Sequence, residues 1–125
     1  MPGELTAVLG PNGAGKSTLL RALACVDRHL ETGPSVTLAG LPIHTISPEI
    51  LAGRLAYLPQ REEIAVGFTV REVIALGAAA GGHEDPARAI DHALTRLDLT
   101  TLQARPVETL SEGQRQRVGV ARVFA

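Results

Sequence analysis

The stretch Leu5-Thr6-Ala7-Val8-Leu9-Gly10-Pro11-Asn12-Gly13-Ala14-Gly15-Lys16-Ser17-Thr18-Leu19-Leu20-Arg21-Ala22-Leu23-Ala24 decides how the rest of this chain is read. Leu5 to Leu9 is a short apolar run bounded by glycines, the pattern of a strand covered on both faces in a parallel sheet. Ser17 to Ala24 reads as a helix. Between them, Gly10 to Thr18 matches G-x-x-x-x-G-K-[ST] in the strand-to-helix context that motif requires. Glycines let successive backbone N–H groups curl inward toward one spot, and the helix that follows adds the positive end of its dipole there. Such a nest binds phosphate. Lys16 would neutralise β- and γ-phosphate oxygens, and the Ser17 hydroxyl would bind the Mg²⁺ that bridges them. Gly10, Pro11, Asn12, Gly13, Ala14, Gly15, Lys16, Ser17 and Thr18 are therefore the candidate nucleotide-binding residues. The competing reading is a tight strand-to-helix turn with a solvated lysine. Lys16 is the only lysine among 12 basic residues.

The chain has 125 residues, 45% of them hydrophobic and 20% charged, with a formal net charge of −1. These values describe one soluble domain or part of one, and exclude a disordered or fibrous chain. Near-neutral charge argues against direct nucleic-acid binding, which needs clustered excess Lys and Arg. One cysteine permits no internal disulfide, which suits a reducing, intracellular compartment, and Cys25 is expected to be a small core residue of the first helix. No stretch approaches the roughly 18 apolar residues needed to cross a bilayer, so a membrane role has to come through a partner.

Farther along, Ser35 to Gly40 alternates as a strand ending in a turn, and Pro48 to Gly53 suits one or two helical turns. Leu55 to Leu58 is another apolar strand, stopped by Pro59. Thr69 followed by Glu72 has the spacing of a capping box at the head of a helix, and Gly77 to Gly82 reads as an alanine- and glycine-rich break. From Asp85 to Leu99, Ile90, Ala93, Leu94 and Leu97 recur at helical spacing, with Asp85 as N-cap and Pro86 as first helical residue. A last helix starts near Ser111 and runs to Ala125. The chain thus divides into a β/α portion over 1–59 and a mostly helical portion over 60–125. His29, His44, His83 and His92 read as surface or loop residues.

Leu110-Ser111-Glu112-Gly113-Gln114-Arg115-Gln116-Arg117-Val118 resembles the signature of ATP-binding-cassette (ABC) ATPases, L-S-G-G-Q followed by a basic amphipathic helix. Taken alone, Ser111 would be a plain helix cap and Gln60 a polar loop residue. With the phosphate loop as Walker A, Gln60 as the Q-loop and Ala121-Arg122 after the signature, the resemblance spans the whole chain in family order. It implies an α/β fold: a partial P-loop NTPase core with a helical subdomain, over 1–125. It implies ATP and Mg²⁺ as cofactors, catalytic roles for Lys16 and Gln60, Mg²⁺ contacts from Ser17 and Gln60, and γ-phosphate contacts from Ser111, Gly113 and Gln114 across a homodimer. Glu112 stands where the family most often has glycine. Leu58-Pro59-Gln60, Phe68 to Gly77 and Ala121-Arg122-Val123 look like the importers of iron siderophores, haem and cobalamin.

The resemblance further implies a permease partner and a place on the cytoplasmic face of the plasma membrane. Upstream strands with an adenine-stacking aromatic, the Walker B strand with its Asp and catalytic Glu, the D-loop and the switch histidine of the family pattern are not found in this sequence. Tyr57 lies on the wrong side of the motif to replace that aromatic. Glu62, Glu63 and Glu112 do not sit at the end of an apolar strand, as a general base would, so ATP turnover by this chain alone is not expected. Two alternatives stand beside the importer ATPase: a nucleotide-binding module without turnover, and an ABC ATPase of translation or repair.

Overall fold

A computed structural model describes residues 3–26, 36–60 and 67–125. The expectations placed on Ser35, His29, Arg61, Glu62 and Glu63 lie outside them. Two compact units divide the chain, 1–46 and 47–125. Among the described residues the fold is helix-rich with a small two-stranded sheet.

In the first unit, helix α1 spans Lys16–Leu23. Strands β1 (Thr37–Leu38) and β2 (Leu41–Pro42) form an antiparallel hairpin. Its two turn residues, Ala39 and Gly40, both have positive φ, 53° and 81°, which matches the right-handed twist of paired strands. Ile43 is the buried apolar residue among the described residues of this unit. The strand expected at Leu5 to Leu9 is absent: no described strand pairs with it, and a strand exists only through its ladder of hydrogen bonds. Leu5 is 96% and Leu9 90% exposed. Cys25 is not the core residue expected, being half-buried beyond the end of α1 with a left-handed backbone (φ 52°).

The second unit opens with α2, Pro48–Ala52, capped by the Ser47 side chain. Leu55 to Leu58 alternates between half-buried and exposed positions but forms no ladder, so this expected strand is also absent. Helices α3 (Val70–Gly81), α4 (Pro86–Arg96) and α5 (Glu112–Phe124) then pack around one core. Val70, Val73, Ile74 and Ala78 of α3 meet Ile90, Ala93 and Leu94 of α4 and Val118 and Ala121 of α5. Each fully buried aliphatic side chain of this kind contributes about 1.5–3 kcal/mol.

The break expected at Gly77 to Gly82 is instead the continuous last turn of α3, which ends with Gly82 at φ 66°. Tertiary contact accounts for the glycine: a Cβ on Gly77 would overlap the backbone carbonyl of Arg122, so only glycine lets α3 and α5 approach this closely. Helix α4 stops at Arg96, before the expected Leu99, because Asp98 turns left-handed (φ 53°). Arg71 ties the layers together, donating to Asp91 of α4 at 2.8 Å and to Gln103 at 3.1 Å.

Candidate functional site

The helix beginnings differ in one respect that bears on ligand binding. Four of the five described α-helices carry a side-chain cap: Ser47 on α2, Thr69 on α3, Asp85 on α4 and Ser111 on α5. At α3 the satisfaction is complete, since Val70 N–H donates to Arg105 O, Arg71 N–H to Gln103 O, and Glu72 N–H to Thr69 Oγ1. Glu72 returns the contact, accepting from the Thr69 backbone N–H at 2.7 Å, and this holds its carboxyl below the usual carboxylate range.

Helix α1 has no such cap. Its N-cap is Gly15, in the left-handed region at φ 84°, preceded by Gly13 at φ 81°. The first N–H drawn into the helix ladder is that of Leu19, bonded to Gly15 O at 2.8 Å. The N–H groups of Lys16, Ser17 and Thr18 therefore have no acceptor within the helix and stand at its positive end. The Lys16 ammonium folds back over the loop and donates to the carbonyls of Gly10 at 2.8 Å and Pro11 at 2.7 Å. A cation is thus held at the loop by neutral carbonyls, ready to exchange them for a charged acceptor. Charge-assisted bonds are the stronger kind. Ser17 and Thr18 are exposed in the first turn. This donor set, free amides, one ammonium and a hydroxyl, fits a polyphosphate with its Mg²⁺. Among the described residues no cluster of three or more His, Cys, Asp or Glu could hold a metal by itself.

In the second unit, Ser111, Gly113 and Gln114 lie together at the start of α5. Ser111 Oγ accepts from the Gln114 N–H at 3.3 Å, while Gln114 Oε1 accepts from the Ser111 N–H at 2.9 Å. Ser111 keeps its own hydroxyl proton to donate. A Cβ on Gly113 would meet open space, so packing does not require glycine there. Gln60 is exposed at a bend after Pro59. Arg115 escaped the reading of the sequence: it pairs with Glu112 at 2.8 Å, and the i, i+3 spacing of opposite charges is the signal that points to it. A cleft of about 580 Å³ in this unit, lined by Tyr57, His83 and Arg122 among others, includes none of the candidate site residues. No described helix is long and apolar enough to cross a membrane.

The family described as ABC transporter matches residues 1–125. The chain is 43% identical over 122 residues to the hemin import ATP-binding protein HmuV of Rhodopseudomonas palustris (strain HaA2), a match covering 98% of this chain and 46% of that protein. It is 42% identical over 125 residues to HmuV of Rhizobium meliloti (strain 1021), covering 98% of this chain and 47% of the relative. It is also 39% identical over 127 residues to the cobalamin import ATP-binding protein BtuD of Halobacterium salinarum (strain ATCC 29341 / DSM 671 / R1), covering 98% of this chain and 31% of that protein. The chain spans about half the length of the HmuV relatives it matches.

Proposed function

The chain belongs to the ABC transporter family, and on that premise we propose that it is the nucleotide-binding part of an importer's ATPase subunit. One observation carries the reading: α1 alone among the described α-helices begins without a side-chain cap, and the single lysine lies over the loop that precedes it. The backbone N–H groups from Gly13 to Thr18 hold the β- and γ-phosphates, and Lys16 leaves the carbonyls of Gly10 and Pro11 to neutralise them. Ser17 would supply an oxygen ligand for Mg²⁺, which would withdraw charge from the phosphates. Ser111, Gly113 and Gln114 present a second helix start to the γ-phosphate held by another copy of the chain, so that ATP closes a homodimer. Gln60 and the segment over 61–69 face a transmembrane permease at the cytoplasmic side of the membrane. Transport of haem, cobalamin or an iron siderophore, rather than work in translation or repair, follows the hemin and cobalamin import named for the relatives.

Titration calorimetry with Mg·ATP tests the reading. Lys16→Ala removes a charge-assisted contact of about 1.5–3 kcal/mol and should weaken binding roughly ten- to hundredfold; unchanged affinity would overturn the assignment. A second reading, binding without turnover, rests on the place of Glu112, which sits at a helix start and not at the end of an apolar strand where a general base would stand. Lys16 and Ser17 stabilise bound triphosphate much as they stabilise the transition state, and such uniform binding accelerates little. Steady phosphate release by this chain, lost in Lys16→Ala, would rule that reading out.

A further inference from the structure

Glu112 is the one residue of the Leu110–Gln114 segment whose charge opposes a phosphate ligand. A carboxylate in the first turn of α5 is favoured by the helix dipole while the site is empty and repels an anion approaching the same N–H groups. Glu112 does not stand alone. Its Oε2 accepts from an Arg115 guanidinium nitrogen at 2.8 Å, one helical turn on, with the two side chains 70% and 41% exposed. The neighbouring arginines are engaged elsewhere. Arg105 donates to the backbone and hydroxyl oxygens of Thr109, and Arg117 reaches the Leu97 carbonyl at 3.3 Å. Neither packing nor capping accounts for Arg115, because the buried face of α5 is formed by Val118, Gly119 and Ala121 and its cap by Ser111 and Gln114.

We propose that Arg115 is a positioning residue for nucleotide: it compensates the Glu112 carboxylate so that the start of α5 accepts the terminal phosphate of ATP. This rests on the reading above, in which that helix start meets a phosphate held by another copy. The pair leaves the approach near zero net charge instead of −1, while the Ser111 hydroxyl and the N–H groups of α5 remain the direct donors. For a single exposed charge and a doubly charged terminal phosphate, a separation of about 8 Å would by Coulomb's law change affinity about fivefold at low salt.

Sedimentation of the full chain against increasing concentrations of the Mg²⁺ complex of a non-hydrolysable β,γ-imido ATP analogue reads the effect as the concentration at half-maximal self-association. Arg115→Ala should raise that concentration about fivefold, Arg115→Lys by less than about twofold, and the double variant Glu112→Gln/Arg115→Ala should return it to the wild-type value. The shift should shrink as salt rises. An unchanged Arg115→Ala, or a double variant as weak as Arg115→Ala alone, would overturn the proposal, the latter by assigning Arg115 a purely structural role. Failure of the underlying reading looks different: wild-type chain that does not associate with the analogue, or association indifferent to both Lys16→Ala and Ser111→Ala, removes the phosphate site itself and the proposal with it.

Discussion

Helix α1 buries none of its eight residues, whereas α3 buries Val70, Val73, Ile74 and Ala78 and has every N–H of its first turn satisfied by protein groups. The units around them differ in the same way. Among the described residues, Ile43 is the buried apolar side chain of 1–46, and all the others lie in 47–125. Leu19, Leu20 and Leu23 of α1 stay between 42% and 48% exposed. The second unit is therefore held by its own core. The first takes its shape from local geometry, two left-handed glycines and a lysine folded over a loop, and its open amides are what a ligand would satisfy. A region that saves donors for a ligand gives up their contribution to the empty fold.

The largest effect expected from this contrast is in side-chain truncation. Leu94→Ala should destabilise the second unit by about 2–5 kcal/mol in urea unfolding, while Leu20→Ala in α1 should cost under about 0.5 kcal/mol. Comparable losses would show that α1 is as firmly packed as α3. Ligand should narrow the gap: at a Mg·ATP concentration of about 100 Kd, amide exchange over Gly13 to Leu19 should slow by an amount equivalent to about 2.7 kcal/mol, with no matching change at α3. Uniform protection across both units would break the comparison.

A smaller effect separates fold from ligand within the second unit. Because a Cβ at Gly113 meets open space, Gly113→Ala should raise thermal stability by about 0.5–1 kcal/mol and yet weaken ATP-dependent self-association. Gains in both would leave the glycine without a binding role. The smallest effect concerns Glu72, whose pKa is lowered first by the Thr69 backbone N–H and then by its hydroxyl. A carboxylate with a depressed folded-state pKa stabilises above its unfolded value of about 4.3, and the contribution disappears as pH falls through the lower folded value. Glu72→Gln should therefore flatten the acid limb of the stability curve below about pH 4.3 and leave its slope near neutrality unchanged. An identical acid limb in the variant would mean the capping box forms equally with a neutral partner.

The expectations met by the structure rest on interactions spanning a few residues. The glycine-rich turn opening a helix was legible, and the caps at Thr69, Asp85 and Ser111 and the buried stripe Ile90, Ala93, Leu94 followed from spacing alone. A cap bonds to the N–H three residues on, and a helical stripe repeats every three or four, so both are written locally. The two expected strands failed for the opposite reason. Leu5 to Leu9 and Leu55 to Leu58 have the composition of strands, but a ladder also requires a partner distant in sequence.

By itself, then, the sequence determined the glycine-rich loop before α1, the helix starts and the membership of the family. Tertiary structure alone decided that Gly77 continues a helix, that Cys25 lies outside the core, and that Arg117 turns to the Leu97 carbonyl. A glycine's local preference favours a break, and at Gly77 it is overridden because the carbonyl of Arg122, 45 residues on by number (122 − 77), lies where a side chain would have to go. Local chemistry can be read along the chain, but a choice between two locally permitted states belongs to whichever distant group arrives against it.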